Sequence, residues 1–289
     1  MAESSDKNPE KTFNFQLNPA IKLKQSIESL KDHEFNPKGV GRIDISEKGF
    51  EITVINSETN VGGYLFLKSS GLINFHCSKS IGNKLINLNL TSLFLVSSTD
   101  DDTITIYHVV GSKNLTFIIG SAPNKVMKIE FLEMNFEFDK FPDIIFFCEA
   151  VITTDLLRQM IQKLEETGKT QQVSVDITEK LVAILVGGKD PWIYKYDTDK
   201  IVGTRGLEPG QQHHAWFILQ HLEAMKKAAN LAPCLLICFL TEPPNFVMMR
   251  FNLRELGDLA FIIEASKIFQ NADDLLRHGG AQEIAMQPV

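Results

Sequence analysis

The sequence predicts an α+β protein made of two similar halves, each an array of antiparallel strands with two helices packed on one side. Three observations carry this. Short segments recur in one order at nearly constant spacing: KQSIESL (24–30) and RQMIQKL (158–164), DISEK (44–48) and DITEK (176–180), NLTF (114–117) and NFVM (245–248). Strand-like alternation and helix-like periodicity follow one another in the same order in both copies. The chain has 289 residues, 44% of them apolar and 22% charged, which is enough for two domains that each bury a core.

Each half opens on an alternating segment, Phe13, Phe15, Leu17 in the first and Phe147, Glu149, Val151 in the second, read as a strand. A short helix follows. Leu23, Ile27 and Leu30, then Leu157, Ile161 and Leu164, recur at i, i+4, i+7 and give each helix one apolar stripe. Paired β runs come next. RIDIS turns at Glu47-Lys48-Gly49 into FEITVI, and VSVDI turns at Thr178-Glu179-Lys180 into LVAILV. YLFLKS and INFHC continue the first copy and WIYKYD the second. A second helix is expected at 90–98 and at 214–230. Each half closes on a hairpin, TITIYHVV to LTFIIG and CLLICFL to FVMMRF. The join is placed near 133–142, with domains at 12–137 and 138–270 and polar tails at 1–11 and 271–289.

The apolar stripes must face the sheets, so the opposite helical faces carry the surface chemistry. Those faces offer Lys22, Lys24, Gln25 and Lys31 in the first copy and Arg158, Gln159 and Lys163 in the second; Lys226 and Lys227 extend the set. Lys24-Gln25 and Arg158-Gln159 repeat a cation followed by an amide at one structural position. The chain as a whole is acidic, with a net charge of −7. A basic surface built from equivalent helices on an acidic body suits phosphate backbones, which cations grip without reading bases.

Enzyme chemistry finds little support. GKT at 168–170 lacks the preceding glycine of a P-loop and its strand-before, helix-after setting. Asp100-Asp101-Asp102 reads as a charged hairpin loop, and His213-His214 and His76-Cys77 lack the number and spacing of zinc ligands. Cys234 and Cys238 read as small buried residues of an apolar strand. Four cysteines in a chain of this length point to a reducing compartment. The first residues carry no apolar signal core and no run is long enough to span a bilayer. No catalytic residue, metal or cofactor is expected.

With these residues in view, PAIKLKQSIESLKD, INLNLTSLFLV and the closing FVMMRFNL–ELGDLAFIIEA resemble the eukaryotic-type DNA sliding clamps, the proliferating cell nuclear antigen family. The likeness covers about 13–268. It implies two clamp domains with sheets outside and two helices each on the inner face. Copies would close a ring, commonly a trimer, that encircles duplex DNA and tethers a polymerase and other replication or repair proteins, with no cofactor. The named cations and amides would then line the channel. The helix at 90–98 departs from the family by carrying no Lys or Arg, a lack that Lys79 and Lys84 could offset. The resemblance puts the subunit edges at Leu115–Ser121, with Leu115, Phe117 and Ile119, and at Trp192–Asp197, with Trp192, Tyr194 and Tyr196. Partner peptides would dock at Ile55, Phe138, Phe141, Phe246 and Ile262. The implied location is the nucleus or a viral replication site. A hetero-oligomeric checkpoint-type clamp and a monomeric processivity factor of the same fold stay open as alternatives.

Overall fold

The computed structural model describes residues 10–264 apart from 57, 59–60, 96–98, 100, 121–123, 134–145, 168–171, 179–180, 187–191, 198–202, 207–211 and 241–245, together with Gln282 and Glu283. Its class is α+β, mostly antiparallel sheet with few helices. The strands of the first half are β1 (Lys11–Leu17), β2 (Val40–Ser46), β3 (Gly49–Asn56), β4 (Val61–Lys68), β5 (Ile73–Cys77), β6 (Ile81–Asn87), β7 (Ile104–Val109), β8 (Asn114–Ile119) and β9 (Lys125–Glu130). Helix α1 (Ile21–Leu30) follows β1, and α2 (Leu88–Leu95) follows β6. The second half runs β10 (Phe146–Thr153), α3 (Thr154–Thr167), β11 (Gln172–Thr178), β12 (Leu181–Val186), β13 (Trp192–Asp197), β14 (Gly203–Arg205), β15 (Gln212–Ile218), α4 (Leu219–Ala224), β16 (Cys234–Leu240), β17 (Phe246–Asn252) and β18 (Gly257–Glu264). A two-residue strand, β19 (Gln282–Glu283), lies in parallel beside the start of β13.

The pairing pattern repeats. One sheet is ordered β5-β1-β7-β8-β9, and its counterpart in the second half is β14-β10-β16-β17-β18. Likewise β6-β2-β3-β4 matches β15-β11-β12-β13. The halves join because β18, the counterpart of β9, pairs antiparallel with β4 from Gly257↔Leu67 to Ile262↔Gly62, fusing two four- and five-strand arrays into one nine-stranded sheet. Gly63 permits the helix above this seam to come close: a Cβ there would lie 2.7 Å from Leu30 Cδ2 and 3.1 Å from the Ala260 carbonyl oxygen.

Burial follows the predicted helix stripes and the Phe13-Phe15-Leu17 alternation, but in β10 the buried residues are Ala150 and Ile152, the opposite parity to the expected Glu149 and Val151. Leu23, Ile27, Leu30, Leu157 and Ile161 are buried against the sheets; the side chain of Leu164 is not among those described. Phenylalanines fill the centre: Phe15 packs on Phe50 at 5.3 Å, and Phe35 on Phe261 at 4.7 Å, the second pair crossing from one half to the other. The β2–β3 turn falls at 47–49 as expected, with Gly49 at φ +148°, where a Cβ would sit 2.0 Å from the Leu67 carbonyl oxygen. Cys238 is buried and Cys234 half-buried.

Three further expectations need correction. The second helix of the first half starts at Leu88, not 90, because the Asn87 side chain caps it, accepting from the Leu90 N–H at 3.0 Å. The region 214–230 is not one helix: Gln212–Ile218 is a strand paired with β11, and helix occupies only Leu219–Ala224, with a 3-10 turn at Ala228–Asn230. Third, Leu115–Ser121 is not a free edge. β8 pairs with β7 on one side and β9 on the other, and Leu115, Phe117 and Ile119 are buried in the core. The strands that end that sheet are β9, beyond β8, and β5 at the other side. The expected join beyond Glu133, Phe138 and Phe141, both tails apart from Glu10, Lys11 and the 282–283 pair, and the GKT segment lie outside the described residues.

Candidate nucleic-acid interface and outer sheet face

The four helices and the 3-10 turn Ala228–Asn230 touch one another in series: α2 meets α1, α1 meets the turn, and the turn and α4 meet α3. The nine basic and amide positions all belong to this layer or its connections. Lys22, Lys24 and Gln25 are half-buried on α1; Lys31 caps its C-terminus, its N–H donating to the Ile27 carbonyl at 2.9 Å. Gln159, Lys226 and Lys227 are exposed, and the side chain of Lys163 is not among those described.

Two cations have internal duties that local sequence cannot reveal. Arg158 donates to the Ala229 carbonyl at 3.1 Å and to Asn230 Oδ1 at 3.0 Å while pairing with Asp155, so it ties α3 to the 3-10 turn. Lys226 pairs with Glu165 of α3 at 2.7 Å. Both charges are therefore partly neutralised where they stand. Lys79 and Lys84 do not join the helix layer. They line a cleft of about 1200 Å³ with Lys113, Glu10, Glu130 and Glu133. His108 in the same cleft is held at both ring nitrogens, Nδ1 by Thr12 Oγ1 at 2.6 Å and Nε2 by the Ser112 carbonyl at 2.8 Å.

On the opposite face of the nine-stranded sheet, register aligns Ile55 with Gly62, Gly62 with Ile262, Ile262 with Met248 and Met248 with Cys238. Directly paired residues share a face, so Ile55 and Ile262 belong to one row, and Phe246, two positions from Met248, stands beside it. Three of the five docking positions thus meet on one face. Ile262 is only 3% exposed, whereas Ile55 and Phe246 are half-buried, so the accessible part is its margin. Sequence reasoning missed Tyr64, Leu236, Met248 and Cys238, which complete this cluster; the alternation of FVMMRF and CLLICFL holds the signal, since one parity serves the core and the other this face. Beside it Arg250 donates to Asp258 at 2.8 Å, and that bond holds the guanidinium pKa above its ordinary value; burial pushes the Tyr64 hydroxyl up.

The remaining expected edge residues Trp192, Tyr194 and Tyr196 lie on β13, which is next to last in its sheet: among the described residues β19 pairs with it on the outer side at Trp192 and Ile193. His76 and Cys77 are successive on β5 and so point to opposite faces. Asp102 is buried; its carboxylate accepts from the Thr99 N–H at 2.6 Å and its carbonyl from the Ala20 N–H at 2.9 Å, so it builds the loop. Among the described residues there is no cluster of three metal-ligating side chains, and no helix is long and apolar enough to cross a membrane. Neither a family model nor a curated protein matches this sequence.

Proposed function

We propose that the chain is a DNA polymerase processivity factor of the sliding-clamp type, a ring subunit that surrounds duplex DNA and tethers its polymerase. One observation carries the reading: the strand order repeats, and the internal joint uses β18 and β4, while of their counterparts β9 ends its sheet and β13 has beyond it, among the described residues, only the two-residue β19. A unit with one internal joint and the two complementary halves of another is built to add copies head to tail, and such heterologous contacts form a ring when the rotation closes. Pairing would also cover edges otherwise open to aggregation.

The function needs no reaction. A closed ring is linked to DNA topologically, so its cations need only a screened, mobile hold, to which Lys22 on α1 and the exposed Lys227 contribute while Arg158 and Lys226 are engaged within the chain. Tethering makes each polymerase re-encounter effectively intramolecular. The outer row around Ile55 and Phe246 is the place for an apolar-aromatic partner segment. Light scattering tests the core of this reading: a self-assembled multiple of the 32.5 kDa chain is expected, retained on closed circular DNA at salt that strips a charge-held protein. A monomer at all micromolar concentrations that also slides off circular DNA refutes it.

The monomeric processivity factor has one observation in its favour, the pairing of Gln282 and Glu283 with Trp192 and Ile193 on the edge that assembly requires. A chain ending at residue 270 that stays monomeric like the full chain would favour it.

A further inference from the structure

The two halves differ at one place where their topology is the same. α2 and α4 each run directly out of the strand that pairs with the first strand of the central hairpin, β6 with β2 and β15 with β11. Counted from the start of each helix, Leu90 and His221 are both the third residue, and Leu93 and Ala224 both the sixth. His221 is 4% exposed because the internal joint covers it: its ring lies 6.0 Å from Phe35, which belongs to the connection after α1 in the other half. Leu90 is 53% exposed and Leu93 71%, whereas Leu88, Thr91, Ser92 and Leu95 of the same helix are buried on their own half. α2 also touches β9, the last strand of its sheet, whose Met127 and Ile129 face the core on the helix side.

We infer that Leu90 and Leu93 form the helix-side half of a joint with a second copy of this chain, covered there by that copy's α3, the counterpart of α1, as Phe35 just after α1 covers His221. This rests on the head-to-tail reading above. It also accounts for the missing cations of α2: the exposed face of this helix serves protein contact, not DNA. A helix presenting two bare leucines to phosphates would forfeit both hydration and charge, while the same pair against a neighbouring helix removes apolar surface from water.

Sedimentation velocity over a concentration series tests it, using the full chain, Leu90→Glu/Leu93→Glu, and Leu90→Ala/Leu93→Ala as a milder variant that keeps helix propensity. The unfolding midpoint of each variant should match that of the unassembled wild type, since both side chains are exposed in the single chain. Assembly should weaken about 10-fold in the alanine variant and about 100-fold or more in the glutamate variant. Unchanged association constants in both variants, with the wild type assembling, overturn this inference and leave the head-to-tail reading standing. A wild type that never assembles overturns both. Leu90→Lys/Leu93→Lys gives a further check: full assembly with tighter DNA retention at low salt would put α2 against DNA and refute the assignment.

Discussion

Replacing His221 by leucine, the residue that the first half carries at the equivalent helix position, should flatten the acid side of the stability profile. Burial in the joint lowers the His221 pKa from 6.5 to about 4, and its Nδ1 has no hydrogen-bond partner among the described residues. The folded chain therefore holds the ring neutral through a range where the unfolded chain binds a proton. Stability is complete above the unfolded value near 6.5, falls as pH drops, and stops falling below about 4, where the folded ring also takes the proton. At about 1.4 kcal/mol per pKa unit the full swing is about 3 kcal/mol, of which about 2 lies between neutral pH and about pH 5. Urea unfolding of wild type and His221→Leu at about pH 7.5 and pH 5, at one protein concentration, isolates this contribution. The carboxylates titrate in both proteins and cancel in the double difference. The variant should lose about 2 kcal/mol less than wild type on acidification. At neutral pH it should be as stable or more so, because an unpaired buried nitrogen is replaced by hydrocarbon. Parallel losses in the two proteins would mean that His221 is hydrated in solution and that the joint around Phe35 is not closed.

Phe117→Ala should cost about 3–5 kcal/mol of chain stability, seen as a lowered unfolding midpoint even in dilute unassembled protein, because β8 is a core strand; loss of assembly at unchanged midpoint would contradict that placement. If β9 meets β13 of a neighbour in the register of β18 on β4, counted along the matching hairpins, Val126 stands opposite Ile193. Val126→Cys/Ile193→Cys should then give an intermolecular disulfide ladder on non-reducing gels, absent from wild type and from either single variant. Arg158→Ala should lower stability by about 1 kcal/mol through loss of its bonds to Ala229 and Asn230, with little effect on DNA retention, whereas Lys22→Ala/Lys227→Ala should do the reverse in gel shifts at low salt. Gly63→Ala should destabilise by about 1–3 kcal/mol in urea melts, since the added methyl meets Leu30 and the Ala260 carbonyl.

The elements that were legible from the chain are those whose side chains divide cleanly between core and water. The stripe Leu23-Ile27-Leu30 and the alternation Phe13-Phe15-Leu17 each have one wet and one dry face, so periodicity suffices. α2 and α4 were misplaced for a physical reason: each grows out of a strand without a loop, so no break in apolar pattern marks the change, and only the capping Asn87 gave a local sign. The ion pair of Lys226 with Glu165 spans 61 residues, beyond any local pattern, so a cation on a wet helical face read as available when it was engaged.

The misassigned edge is the most instructive case, because apolar richness points the wrong way. LTFIIG is the more strand-like segment because it is interior, paired on both sides and dry. KVMKIE, with Lys125, Lys128 and Glu130 exposed, is weakly patterned because an edge strand must be charged to avoid indiscriminate pairing. A search for subunit edges should therefore favour the strand at the end of a sheet that looks least like one. The internal joint left its own mark in Gly62-Gly63 of β4, two side-chain-free positions in an otherwise bulky strand, where a helix and a neighbouring strand approach together. In the matching hairpins Trp192 is the counterpart of Gly63 and Ile193 that of Tyr64, so the proposed seam with a second copy cannot repeat the internal one: a bulky residue replaces glycine on the strand, and Leu90 replaces His221 on the helix. In the proposed head-to-tail assembly one joint forms during folding and the other only when a second copy arrives, which is reason to build them differently.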